Sequence, residues 1–198
     1  MNAGLIYMVG PSGVGKDSLL AWLSHRPQQN FATPLHIARR SITRPEDGGT
    51  ENHEALTEQA FSTLEAAGGF AMCWDANGLR YGIRRSELTA LDQGHWVVVN
   101  GSRAYVPTLR RDWPGASVLH IQAPADVVRA RLQARGREAG AALEARIQRS
   151  QALSAARVAG EMELLNEGSL DESGQKLLTL LAARARAGAD EALRPEPE

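Results

Sequence analysis

The chain has 198 residues and a formal net charge of −1, long enough for one sizeable core and without the basic excess that holds nucleic acid or an anionic membrane through bulk electrostatics. The single Cys73 excludes an internal disulfide and fits a reducing compartment, and no stretch approaches the roughly 20 apolar residues of a membrane-spanning helix. These bounds predict a cytoplasmic protein with local anion binding and no nucleic-acid or membrane partner; they leave the oligomeric state open.

In chain order, apolar runs of strand length alternate with segments of helical period, the pattern of an α/β fold with a mostly parallel sheet. The first run, LIYMV (5–9), leads through GPSGVGK into a helix from Asp17 to about Arg26, which stops before Pro27. LHIARRSI (35–42) reads as the second strand. The polar, glycine-rich stretch that begins TRPEDGG and runs to about Leu91 reads as a lobe inserted over the sheet edge, with helices over about 57–67 and 84–91. HWVVVN (95–100) and SVLHIQ (117–122) are core strands, with a helix over about 103–111 between them. A helix over about 125–135, the glycine-punctuated RGREAGAA, and a helix over 141–159 read as a lid. The short strand EMELLN (161–166) and a helix over 171–187 follow, and the charged, proline-bearing end is expected to be a disordered tail.

The loop after the first strand matches the phosphate-binding pattern G-x-x-x-x-G-K-[ST] except at its last position, where Asp17 replaces the hydroxyl that normally holds magnesium. Strand, glycine-rich turn and helix are the context this motif needs. Gly10, Gly13 and Gly15 permit backbone angles that let successive N–H groups of Gly10, Pro11, Ser12, Gly13, Val14 and Gly15 (proline excepted) face phosphate oxygens. The helix start adds its positive end, and Lys16 a mobile charge for the β- and γ-phosphates. ATP with Mg2+ is the expected ligand. Asp17 offers a hard oxygen that binds the ion directly or through water; the alternative is a helix-start carboxylate only. Ser18 is the other hydroxyl at the loop, but one residue is about 100° of helical rotation, which turns it from the phosphates.

GPSGVGK, SITRPEDGG from Ser41, LRYGI (79–83), RLQARGRE from Arg131, and Asn166 at the end of ELLN together resemble guanylate kinases over most of the chain. The resemblance implies a P-loop NTPase-like fold: a mostly parallel sheet flanked by helices, with a small substrate lobe and an arginine-bearing lid. It implies one kinase domain over 1–190, a lobe at about 41–92, a lid at about 131–149, and a tail at 191–198. It also implies that Tyr81 belongs to the substrate site and that Asn166 lies near the adenine pocket. The departures fall on the base-reading groups. Asp47 stands where guanylate kinases have a second arginine, His53 near a tyrosine, Met72 near the guanine-binding glutamate, Ile83 at a Thr or Ser, and Asn100 near an aspartate. A site built to hydrogen-bond a base edge fails when its partners become apolar.

GPSGVGKDSLL, RRSITRP and VVVNGSRA resemble instead the ribose 1,5-bisphosphate phosphokinase family. That resemblance implies transfer of the ATP γ-phosphoryl group to the 1-phosphate of a small phosphorylated sugar, giving 5-phosphoribosyl 1-diphosphate in phosphonate breakdown. The alternatives are a nucleoside monophosphate kinase of guanylate type and a non-catalytic guanylate-kinase-like interaction module.

The acceptor in such a reaction is an ionised phosphate oxygen, so no general base is needed and the work falls to cations. Lys16, with Arg135 and Arg146 from either side of the lid loop, are the expected catalytic cations; Arg131, Arg137 and Arg149 are further arginines of the same helix pair. A bisphosphate without a base calls for arginines in its site. Strand alternation puts Arg39 and Arg40 on opposite faces, which favours Arg40 with Arg44 for the site over Arg39. Arg84 and Arg85 follow Tyr81 and Gly82. Arg103 follows a strand's carboxyl end, where open α/β sheets bind ligands; the alternative is a surface arginine at a helix start. Asn100 and Ser102 are placed to bond sugar hydroxyls, with Ser102 read rather as a helix cap, and His53 as a solvated loop residue.

Overall fold

A computed structural model describes residues 4–26, 34–45, 52–134 and 160–192. Its floor is a five-stranded parallel sheet of β1 (Gly4–Val9), β2 (Leu35–Ile37), β7 (Trp96–Asn100), β8 (Ser117–Gln122) and β9 (Met162–Leu165), in the order β2-β7-β1-β8-β9. Side chains alternate between its two faces, as a strand covered on both sides requires. Leu5, Tyr7, Val9, Val97, Val99 and Val118 enter one apolar cluster, while Ile6, Met8, Val98, Leu119 and Ile121 enter the other. Helix α1 (Lys16–Ser24) and the final helix α5 (Leu170–Ala192) share the second cluster through Leu19, Leu20, Trp22, Leu23, Leu177 and Leu181.

The lobe is a second sheet, which the sequence pattern did not announce. Strands β3 (Arg40–Ile42), β4 (Glu54–Ala55), β5 (Phe70–Ala76) and β6 (Leu79–Arg84) run in the order β4-β3-β6-β5 and carry helix α2 (Glu58–Ala66), capped by the Thr57 side chain at the Ala60 N–H. LHIARRSI is therefore two strands in two sheets: the chain leaves the floor after Ile37, passes Ala38 and Arg39, and pairs antiparallel with β6 from Arg40. Ile42, Met72, Trp74, Tyr81, Ile83 and Leu88 from the lobe join the first floor cluster, so both sheets bury apolar surface against one another.

Helix expectations shift at two places. Arg84 ends β6, and only a short 3-10 turn, Arg85–Leu88, stands where a helix to Leu91 was expected, because pairing with β5 holds residues 79–84 extended. Arg103–Tyr105 is likewise a 3-10 turn, and helix α3 (Val106–Asp112) starts after it with a proline in its first turn. Helix α4 (Ala125–Ala134) follows β8 as expected. Arg135, Arg137, Arg146 and Arg149, the helix expected over 141–159 and the tail from 193 lie outside the described residues. Among the described residues no helix is long and apolar enough to cross a membrane.

Candidate active site

Three features meet at the carboxyl edge of the floor sheet: the loop after β1, Asn100 at the end of β7, and Asn166 just past β9. The loop turns on left-handed glycines, Gly13 at φ 83° and Gly15 at φ 96°. At Gly15 a side chain is also excluded by space, since a Cβ there would stand 2.5 Å from Asn166 Nδ2. That amide explains the closeness. Asn166 is 3% exposed and donates from Nδ2 to the Val14 carbonyl oxygen at 2.7 Å. Arg131, on α4, donates to the same carbonyl at 3.2 Å and to the Asn166 carbonyl at 3.2 Å. Asn166 and Arg131 thus grip the loop from behind. Asn166 was expected near a base pocket; the structure places its side chain on the loop itself.

Lys16, the first residue of α1, curls across the loop mouth and donates from Nζ to the carbonyl oxygens of Gly10 at 2.8 Å and Pro11 at 3.3 Å. Ser18 is half-buried one residue beyond Asp17. Asp17 faces the lobe: its Oδ1 accepts from Asn100 Nδ2 at 2.6 Å and from Arg40 Nη2 at 3.4 Å. The same guanidinium donates from Nη1 to the Asn100 carbonyl at 3.3 Å and lies over the Tyr81 ring, 5.4 Å from its centroid. Tyr81 stacks in turn on Trp74, with Tyr7 and Tyr105 packed against that indole. Arg40, Tyr81, Asn100 and Asp17, singled out separately in the sequence, form one contiguous wall.

Arg103 stands on the same edge, in the 3-10 turn after β7, and burial pushes its guanidinium below the usual arginine value. Ser102 precedes that turn, but its side chain makes no capping bond; its N–H donates to the Tyr7 hydroxyl at 3.0 Å instead. Burial drives the Tyr7 phenol upward, so it is a neutral hydroxyl at any ordinary pH. Arg39 lies between β2 and β3 rather than in a continuous strand, so strand alternation does not set its direction; it donates to the His53 carbonyl at 2.9 Å.

Several lobe partners were not foreseen. His53 is 2% exposed rather than solvated, because it immediately precedes β4 and its ring is folded onto Arg44. Its Nε2 lies 3.2 Å from the Arg44 carbonyl oxygen and its Nδ1 3.4 Å from Arg44 Nη2. Arg84 is engaged by Glu54 through two bonds, 2.7 and 2.6 Å, and Arg85 donates to the Gly68 carbonyl at 2.8 Å. Glu87 receives the Arg39 N–H at 2.9 Å and faces His36 Nε2 at 2.8 Å. Only the count of arginines and acids in the lobe hinted at such pairing.

No family model matches the chain. Among curated proteins it is 42% identical over 182 residues to the Chromobacterium violaceum protein named ribose 1,5-bisphosphate phosphokinase PhnN, covering 92% of this chain and 95% of that protein. It is 41% identical to a Pseudomonas paraeruginosa protein of the same name, covering 91% and 96%. A Janthinobacterium sp. (strain Marseille) protein of that name is 46% identical over 177 residues, which are 89% of this chain but 38% of that longer relative. The chain therefore spans well under half of some relatives and nearly all of others. Among solved structures, guanylate kinase from Anaplasma phagocytophilum superposes with a TM-score of 0.67 at 16% identity, over 92% of this chain and 86% of that one. A gluconokinase from Sinorhizobium meliloti 1021 superposes at 0.52 and 17% identity, over 95% and 97%. At such identity these two likenesses bear on the fold alone, and they agree with the α/β P-loop architecture read from the sequence.

Proposed function

The chain belongs to the ribose 1,5-bisphosphate phosphokinase family, and from that premise we propose that it transfers the γ-phosphoryl group of ATP to the 1-phosphate of ribose 1,5-bisphosphate. An acceptor phosphate oxygen attacks the γ-phosphorus, the bond to the β-phosphate oxygen breaks, and ADP and 5-phosphoribosyl 1-diphosphate leave. The resemblance in GPSGVGKDSLL, RRSITRP and VVVNGSRA supports a role for the reaction in bacterial phosphonate breakdown. The observation that carries the reading is the contact of Arg40 and Asn100 with Asp17, which brings the lobe against the first turn of the helix after the phosphate loop.

In this reading the loop N–H groups and Lys16 hold the donor phosphates, and Asn166 supports the loop that presents them. Arg40, Arg44 and Arg103 hold the acceptor phosphates, with Tyr81 supporting Arg40 and Asn100 beside the sugar. Arg135 and Arg146 neutralise charge on the transferring group. No base is required, since the attacking oxygen is already ionised at neutral pH; positioning and charge compensation supply the rate. Magnesium suits the residues present. Among the described residues no group of three or more acids, histidines or cysteines forms a metal cage. Magnesium commonly takes one or two carboxylates with the substrate's own phosphates. Asp17 would hold it directly or through water, and the ion would offset phosphate charge.

The test is product analysis after mixing ATP, magnesium and ribose 1,5-bisphosphate, with phosphorus NMR to detect the new diphosphate. Phosphorylation of GMP without turnover of ribose 1,5-bisphosphate overturns the reading in favour of a nucleotide kinase. Failure to bind ATP with magnesium in a titration favours the non-catalytic interaction module.

A further inference from the structure

Asn100 closes β7 at the cleft and is 4% exposed. Its amide orientation is set by its partner: Nδ2 donates to Asp17 Oδ1 at 2.6 Å, and an ionised carboxylate only accepts. Flipping the amide would bring two oxygens together. The consequence falls on the other end of the group. Oδ1 is buried and has no hydrogen-bond partner among the described residues, although the Arg40 guanidinium is close enough to donate to the Asn100 main-chain carbonyl at 3.3 Å. A buried acceptor of fixed direction at a ligand-binding edge asks for a donor from the ligand.

The chemistry of the acceptor narrows that donor. At neutral pH the phosphates of a sugar bisphosphate present acceptor oxygens, which an amide oxygen repels and arginines attract. The only strong hydrogen-bond donors on ribose 1,5-bisphosphate are its ring hydroxyls. We propose that Asp17 is a positioning residue that fixes Asn100, and that Asn100 Oδ1 accepts a hydrogen bond from a ring hydroxyl of the acceptor, so that the pair selects ribose over deoxyribose bisphosphates. This rests on the proposed reaction for the identity of the acceptor. It adds a division of labour, with arginines reading the two phosphates and one asparagine reading the sugar.

The direct test is binding of ribose 1,5-bisphosphate and of its 2-deoxy and 3-deoxy analogues to the unaltered protein, by calorimetry without ATP, alongside kcat/KM for each with ATP and magnesium. One deoxy analogue is expected to bind and react about ten- to a hundredfold less well, the range for leaving one buried acceptor unmet. Asn100→Ala should bring that ratio to within about threefold, by lowering the value for ribose bisphosphate and not that for the deoxy compound. Asp17→Asn should shrink the ratio as well, because an amide at that position no longer dictates which end of Asn100 points away from residue 17. A loss of magnesium binding alone would not move this ratio. Equal binding of all three compounds to the unaltered protein overturns the inference and leaves the proposed reaction standing. Selective binding without diphosphate formation overturns the reaction and upholds the inference. If Asn100→Ala lowers all acceptors equally while raising the magnesium requirement, Oδ1 serves a metal-bound water and the inference is wrong. Thermal melts of both variants separate these outcomes from loss of fold, and the comparison in the unaltered protein needs no variant.

Discussion

In the proposed reaction the donor side is the phosphate loop, which presents main-chain groups while the side chains of Asn166 and Arg131 hold its Val14 carbonyl from behind. On the acceptor side, side chains hold side chains: Glu54 holds Arg84, Asp17 holds Asn100 and Arg40, and Trp74 backs Tyr81 under Arg40. A site made of backbone takes its shape from glycines close together in the chain, even where distant side chains such as Asn166 and Arg131 brace it. A site made of side chains depends on partners brought together from far apart, here Asp17 with Asn100 and Glu54 with Arg84. The first kind suits a feature common to all nucleoside triphosphates. The second can change its ligand by exchanging a few residues while the loop stays intact.

The largest effect expected from this difference is on stability. Trp74 packs Tyr7, Tyr81 and Tyr105 where lobe and floor share a core, and Trp74→Ala should cost about 3–5 kcal/mol in urea unfolding. A loss below about 1 kcal/mol would mean the two sheets do not rely on this cluster. Lys16→Ala should do the opposite. Its ammonium donates to the loop carbonyl oxygens of Gly10 and Pro11, and unfolding should move by no more than about 0.5 kcal/mol, while kcat falls by about 10²–10³-fold. Equal damage to stability and activity in both variants would erase the distinction between the two sides.

The same difference governs how much was legible in the sequence. The parallel floor and the phosphate loop could be read because strand alternation and the glycine spacing are local signals, and Arg40, Tyr81 and Asn100 were singled out through short matching segments. The second sheet was missed because β3 continues the apolar run of β2 with no turn residue between them, so one eight-residue run hid a change of sheet. His53 was misread because polar neighbours in the chain say nothing of the Arg44 backbone it folds against. That Asp17, Asn100 and Arg40 touch was equally invisible: each departs from or extends a motif separately, and only the fold brings β3, β7 and α1 to one point.

An intermediate effect should separate the two sides kinetically. Asn166→Ala removes the buried amide that supports Val14, at a cost of about 1–3 kcal/mol in stability. KM for ATP should rise while KM for the acceptor stays within about twofold, because a buried bond of this worth acts on the loop and on nothing in the lobe. Equal rises in both constants would show that the loop and the lobe wall act as one unit.

The smallest effect expected is a pH dependence confined to the lobe. Glu54 accepts Arg84 Nε at 2.7 Å, Arg84 Nη2 at 2.6 Å and the Ser41 hydroxyl at 2.6 Å. The hydrogen bonds from Arg84, before the one from Ser41, hold its carboxyl below the usual glutamate value of 4.5. A carboxyl lowered on folding binds fewer protons folded than unfolded, so its stabilisation is complete above the unfolded value and is lost as pH falls through the folded one. About a third of each side chain is exposed, 32% for Arg84 and 30% for Glu54. Solvent screening therefore limits the pair to about 1 kcal/mol or less. In urea unfolding from pH 7 to pH 3, the difference between the unaltered protein and Glu54→Gln should be constant down to about 4.5 and shrink below it. The corresponding difference for Asn166→Ala should stay flat, since neither the Asn166 amide nor the Val14 carbonyl titrates. A gap for Glu54→Gln that persists unchanged at pH 3 would assign its worth to packing rather than charge.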